Sequence, residues 1–138
     1  MKTFKIKAEK VFLSAEEQVL RFNSPALDAE HILLALVDDS NNYACKILKK
    51  LGIDLGSLKR DLEDAIKKSA TGHYELYPIT PRIDKILAYA QEFAEKSGKK
   101  SIDTEHILFG ILKENTSLAS KMLYNKGVSL DKIASEIK

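Results

Sequence analysis

The sequence predicts an all-α protein built from two matched halves. Three observations carry that expectation. Apolar residues recur at three- and four-residue steps along most of the chain, and no segment alternates convincingly with period two. Residues 4–63 lie over residues 79–138 without a gap, and roughly a fifth of the aligned pairs are identical. Helix-capping residues punctuate both halves in register, above all in Asp28-Ala29-Glu30-His31-Ile32-Leu33 and its return as Asp103-Thr104-Glu105-His106-Ile107-Leu108. The expectation is eight helices, four per half, related by a pseudo-twofold axis within one domain spanning residues 1–138. Repeat 1 is placed at 4–69, a linker at 70–79 and repeat 2 at 80–138.

The first helix is read from Ile6, Ala8, Val11, Phe12, Ala15, Val19 and Phe22, with Lys7, Glu9, Lys10, Glu16, Glu17 and Arg21 between them. Asn23-Ser24-Pro25 ends it. Asp28 caps the second helix, because its carboxylate can accept an unpaired amide of the first turn. Glu30 then stands at the positive end of the helix dipole. The run from Ile32 to Val37 is apolar on every side, as expected of a buried central helix. A polar turn at 38–42 leads to a stripe of Tyr43, Ala44, Ile47, Leu48 and Leu51, stopped at Gly52. Asp54 opens a fourth helix carrying Leu55, Leu58, Leu62 and Ile66.

The second half repeats the scheme. Thr80-Pro81 is a cap followed by proline at the first helical position. Ile83, Ile86, Leu87, Ala90 and Phe93 form the stripe and Ser97-Gly98 stops it. Asp103 or Thr104 caps the next helix, Ser117 opens the seventh, and Ser129 or Asp131 opens the last. Between the halves, Thr71 to Pro78 lacks helical periodicity and reads as a surface connection.

Composition bounds the function. An apolar fraction of 44% and a charged fraction of 30% are those of a soluble globular chain, and 138 residues suffice for a real core. A net charge of +2 argues for neither nucleic acid nor a membrane surface as partner. The single cysteine, Cys45, allows no internal disulfide and suits a reducing cytoplasm. No apolar run approaches the roughly 18 residues that span a bilayer, and Met1-Lys2-Thr3-Phe4-Lys5 has no signal-peptide character. There is no Gly-x-x-x-x-Gly-Lys-Ser/Thr phosphate loop, so ATP hydrolysis and a nucleotide cofactor are not expected.

The doubled Glu-His-Ile-Leu phrase, with Ile79-Thr80-Pro81-Arg82, Gly52-Ile53-Asp54-Leu55 and Gly127-Val128-Ser129-Leu130, resembles the N-terminal double-repeat domain of Clp-type AAA+ unfoldases, the ClpA/ClpC/ClpB group. The resemblance covers essentially the whole chain, and the Thr-Pro-Arg and Thr-Glu-His phrases of the second half look most like the ClpC branch. It implies two four-helix repeats and a non-catalytic docking module. Such a module receives substrate or adaptor proteins for an ATP-driven ring and its peptidase. It also implies a pocket for phosphorylated arginine at the glutamate of each phrase, Glu30 and Glu105. Thr80 and Thr104 would add hydroxyl donors in the second half. In the first half Lys5 stands at the place of Thr80 and Ala29 at that of Thr104, so the second pocket is the more complete.

Blander readings stand beside these. Glu30 and Glu105 can simply complement their helix dipoles. His31 and His106, with Asp28, Glu30, Asp103 and Glu105, supply metal-ligand types and suggest a rival, a small metal or acid–base enzyme. But neighbours on a helix point about 100° apart, so each histidine diverges from its glutamate and is better read as packed and locally bonded, with no metal. Cys45 reads as a small core residue; His73, Lys67-Lys68 and Lys99-Lys100 read as solvated. Phe4, Tyr74, Leu76, Tyr77 and Ile79 either cover the core or form an apolar groove for unfolded peptide. A further rival is a free-standing adaptor without a motor. The isolated chain is expected to be a monomer, since no long apolar stripe is left over once the halves pack.

Overall fold

The computed structural model describes residues 3–69 and 78–137, apart from the side chain of Ser69. The linker residues Tyr74, Leu76 and Tyr77, and with them most of the expected apolar groove and His73, lie outside the described residues. The described residues fold as eight helices: α1 (Ile6–Arg21), α2 (Ala29–Asp38), α3 (Tyr43–Lys50), α4 (Leu55–Ser69), α5 (Pro81–Lys96), α6 (Thr104–Glu114), α7 (Leu118–Asn125) and α8 (Leu130–Glu136). No strand forms among the described residues.

Two isolated bridges reveal the symmetry. Phe4 pairs with Ile102 and Leu27 pairs with Ile79, both parallel. Phe4 and Ile79 are equivalent positions of the two halves, as are Leu27 and Ile102, so each half lends its leading residues to the other. The Lys5 N–H donates to the Ile102 carbonyl at 2.8 Å and the Ile102 N–H to the Thr3 carbonyl at 2.7 Å. In the mirror arrangement, the Leu27 N–H donates to the Pro78 carbonyl at 2.9 Å and the Thr80 N–H to the Leu27 carbonyl at 3.1 Å. The start of α1 is thereby laid beside the start of α6, and the start of α5 beside the start of α2.

Helices α2 and α6 form the centre. Ile32, Leu33, Leu34 and Leu36 of the one and Ile107, Leu108, Ile111 and Leu112 of the other are essentially inaccessible. Each such side chain contributes about 1.5–3 kcal/mol by leaving water. Across the seam α2 packs on α7 and α6 on α3. Ion pairs at the equivalent acids Glu136 and Asp61, Lys50–Glu136 at 2.9 Å and Lys126–Asp61 at 2.8 Å, flank it on the surface. Within the second half, Gly110 lets α6 approach α5 closely: a Cβ there would collide with the Ile86 carbonyl oxygen.

Most caps fall where the sequence places them, but Thr80, at the N-cap position of α5, makes no side-chain cap bond. Asp28, Ser117 and Ser129 cap α2, α7 and α8, and of the two candidates for α6 Asp103 is the cap. Gly52 and Gly98, both at positive φ, turn the chain after α3 and α5. Two assignments of facing are corrected. Ile6 is not in the buried stripe of α1 but 72% exposed, in line with Leu13 and Leu20 on the outer face. An apolar stripe is therefore left over after all. Tyr43, expected on the buried side of α3, is 57% exposed, with Lys46 Nζ 5.0 Å from its ring centre.

Candidate functional site

Each Asp-x-x-His phrase closes on itself as a capping box. Asp28 Oδ1 accepts the Ala29 N–H at 2.7 Å, and the Asp28 N–H donates to His31 Nδ1 at 3.0 Å. The same pair of bonds joins Asp103, Thr104 and His106, at 2.7 and 2.9 Å. A histidine thus fills the position where glutamate or glutamine usually reaches back. Because Nδ1 accepts, Nε2 carries the hydrogen in both rings. Burial holds both histidines below their ordinary pKa, so they are neutral near pH 7. This is the local bonding expected of them, and among the described residues no three Asp, Glu, His or Cys side chains converge as a metal site.

The two phrases then diverge. His31 Nε2–H donates to Ser24 Oγ at 2.9 Å. Lys99 occupies the equivalent position in the second half, and His106 Nε2, on a side chain only 2% exposed, has no partner. Glu30 Oε1 crosses the seam to accept the Ala119 N–H at the start of α7, at 3.3 Å. The equivalent amide, Ala44 N–H at the start of α3, donates instead to Thr104 Oγ1 at 3.2 Å. Glu105 is displaced by that hydroxyl, and its buried Oε1 has no partner.

The electrostatics follow. Burial raises the Glu30 pKa and Asp28 adds to it, while the Ala119 amide and the Arg82 charge pull it back. Burial pushes the Glu105 carboxyl up to about 7; a backbone amide, Lys99 and the Thr104 hydroxyl offset only part of that, and Asp103 adds to it. Cys45 is buried, donates Sγ–H to the Leu36 carbonyl at 3.1 Å, and has its thiol pushed up to about 11, which suits a core residue rather than a nucleophile.

Glu105 and His106 line a cavity of about 650 Å³, together with Lys5, Tyr43, Lys99, Lys100, Asp103 and the end of α8. A shallower hollow of about 340 Å³ shares Lys5, Tyr43 and Asp103 and extends to Lys7, Asn41 and Lys46. Glu105 and His106 each bring a buried, unpartnered polar atom to the wall of this cavity, with Lys5, Lys99 and Lys100 around it.

The expected pocket members regroup in space. Thr80 does not accompany Glu105. Its hydroxyl donates to Asp28 Oδ1 at 3.0 Å, beside Glu30, and Arg82 Nε meets the same oxygen at 3.1 Å. Lys5 belongs with Glu105, because the bridges exchange the leading residues between halves. Thr104 is wholly buried and its oxygen already accepts the Ala44 amide. The helix-start amides of Ala29, Ala44, Thr104 and Ala119 all donate to protein oxygens, whereas Lys5, Lys99 and Lys100 line the cavity with ammonium groups. Phe4 is half-buried, edge-on to Phe12 at 5.3 Å, whereas Ile79 is 57% exposed; neither lines the two cavities. The sequence reading names Arg82 only within a family phrase, Asp103 as a cap or ligand type and Lys99-Lys100 as solvated; it does not place them at the pocket. The alignment of Lys7 with Arg82 and of Ser24 with Lys99 was the available signal.

Residues 3–126 match the family model of the Clp repeat (R) N-terminal domain. The chain is 35% identical over 138 residues to the negative regulator of genetic competence ClpC/MecB of Bacillus subtilis (strain 168), an alignment covering 97% of this chain and 16% of that protein. It is 32% identical over 134 residues to the chloroplastic chaperone protein ClpC of Pisum sativum, covering 97% of this chain and 14% of that one. Among solved structures, the Hsp104 N-terminal domain from Candida albicans superposes with a TM-score of 0.81 at 18% identity, over 98% of this chain and 89% of that one. A ClpV N-domain solved in complex with a VipB peptide superposes with a TM-score of 0.75 at 15% identity, over 97% and 88%. At those identities the structural likeness is one of fold.

Proposed function

The chain belongs to the Clp repeat (R) N-terminal domain family, and on that premise we propose that it docks substrate or adaptor proteins for an ATP-dependent Clp unfoldase, recognising phosphorylated arginine side chains over Glu105. The chain spans about a sixth of the length of the curated relatives it matches, 16% of the Bacillus subtilis protein. The motor activity and any coupled peptidase are properties of such longer proteins. The role assigned to this chain is reception, with affinity weak enough for cargo to be passed on.

One observation carries the reading: a buried carboxylate oxygen without a partner lies on a cavity that also holds three lysines, Lys5, Lys99 and Lys100. A phosphorylated guanidino group has the complementary order of charges. Its planar N–H face can form two parallel hydrogen bonds with a carboxylate, and its phosphoryl oxygens can accept from ammonium groups. Receiving a cation also relieves the cost of keeping Glu105 buried and ionised. The ClpV N-domain held with a VipB peptide supports a peptide-receiving role for this fold.

Calorimetric titration with a phosphoarginine peptide, its arginine counterpart and a phosphoserine counterpart tests the proposal. The phosphoarginine peptide is expected to bind most tightly, and Glu105→Ala to weaken it at least about tenfold. Equal binding by both proteins would remove Glu105 from the site.

A further inference from the structure

We infer that the two pseudo-equivalent sites are unequal: the chain's own Arg82 and Thr80 occupy the Asp28–Glu30 site, leaving Glu105 as the receptor for a single phosphoarginine. The inference rests on the proposed function for the identity of the ligand, and on the exchange of a few residues between halves for the asymmetry.

In the first-half site one oxygen of each carboxylate, Asp28 Oδ1 and Glu30 Oε1, is already partnered within the chain. Asp28 Oδ1 accepts the Ala29 amide and the Thr80 hydroxyl and forms an ion pair with Arg82 Nε at 3.1 Å. Glu30 has the Ala119 amide and feels the Arg82 charge. A guanidinium supplied by α5 thus stands on Asp28 beside Glu30, the equivalent of Glu105, where its charge opposes an incoming guanidino group. The pair is only partly exposed, with 32% of the Arg82 side chain and 19% of the Asp28 side chain accessible. An incoming side chain must therefore displace a charge-assisted contact held at fixed distance by the Thr80–Leu27 bridge.

In the second-half site the equivalent residues turn away or are missing. Lys7, at the position of Arg82, donates its Nζ to the Asn41 carbonyl at 3.2 Å rather than to Asp103. Lys5, at the position of Thr80, has no side-chain bond among the described residues. Thr104 has taken the seam amide, which frees Glu105, and Lys99 replaces the serine that would have occupied His106. Both of the buried side-chain atoms left without a partner among the described residues, Glu105 Oε1 and His106 Nε2, thus belong to this one cavity.

Amide-resolved NMR of the ¹⁵N-labelled chain, titrated with free phosphoarginine, tests the inference. In the wild type, shifts are expected at Thr104–Ile107 and at Lys99 and Lys100, and not at Ala29–Ile32. Arg82→Met is expected to open the second site, adding shifts at Ala29–Ile32 with a ligand stoichiometry rising from one to two. Equal shifts at both helix starts in the wild type, or no new shifts in Arg82→Met, would overturn the inference while leaving the proposed function standing. Should phosphoarginine bind nowhere, the proposed function fails and the Arg82 side chain itself decides the asymmetry. Its Nε–H resonance is expected to exchange slowly in the wild type and to be lost in Asp28→Asn. Rapid exchange in the wild type would overturn self-occupancy.

Discussion

The Thr104 hydroxyl oxygen accepts the Ala44 amide across the seam at 3.2 Å, where symmetry would have placed the Glu105 carboxylate. In the other half Ala29 has no hydroxyl, and Glu30 takes the corresponding amide of Ala119 at 3.3 Å. One side-chain oxygen therefore separates a glutamate that serves the fold from one that is left free.

Thr104→Ala should undo that separation. With the hydroxyl gone, Glu105 is expected to swing onto the Ala44 amide as Glu30 does onto Ala119. Its pKa should then fall, since accepting an amide favours the charged form. The cost in stability should not exceed about 1 kcal/mol, because one cap replaces another. A pH titration of the variant checks this; an unmoved Glu105 pKa would contradict the exchange.

His106 offers a test of the second difference. Lys99→Ser places a hydroxyl where Ser24 satisfies His31, and the backbones there match: Ser24 N–H donates to Val19 O at 3.0 Å and Lys99 N–H to Ala94 O at 2.9 Å. The variant should gain about 1 kcal/mol in chemical denaturation, and Ser24→Ala should lose about as much or slightly more.

The buried Glu105 makes stability depend on pH. The folded chain holds that proton up to about pH 7, whereas the ordinary value is 4.5. Between these values the folded state binds more protons than the unfolded state, so this contribution is complete below pH 4.5 and is shed as pH rises through 7. After discounting for partial solvation, the loss should be on the order of 1–2 kcal/mol. Glu105→Gln should flatten this part of the profile and be the more stable protein at pH 8, while binding the phosphoarginine peptide less well.

Gly110→Ala is the structural control. Ala35 stands at the same position in the first half and is tolerated at 3% exposure, but in the second half a Cβ would run into the Ile86 backbone. Thermal or urea unfolding should show a loss of roughly 2–3 kcal/mol, as for overpacked cores in general. A gain, as helix propensity alone would give, would show that α5 and α6 can separate freely.

Helix number, order and caps were legible because they depend on local chemistry. Asp28 and Asp103 cap with their own side chains, Gly52 turns the chain at positive φ, and Ile32–Leu36 can only be buried. The facing of Ile6 and Tyr43 was not legible, since an apolar residue at helical spacing fits either edge of a stripe. Site composition was misread for a topological reason. Thr80 and Glu105 share a half of the sequence, but the Phe4–Ile102 and Leu27–Ile79 bridges exchange the leading residues. Each site therefore combines the second helix of one half with the first helix of the other. Nor could spacing reveal that Arg82 folds back onto Asp28, because arginine in a first helical turn usually faces water.

Phosphoarginine reception requires that Glu105, whose buried Oε1 has no partner within the chain, accept a guanidino group. A ¹³C-carboxyl titration of this residue, with and without phosphoarginine peptide, measures that directly. Free protein should show titration near pH 7, and saturating ligand should drive the midpoint down below the ordinary 4.5. A carboxyl that titrates near 4.5 in the free chain and does not respond to the peptide would contradict it.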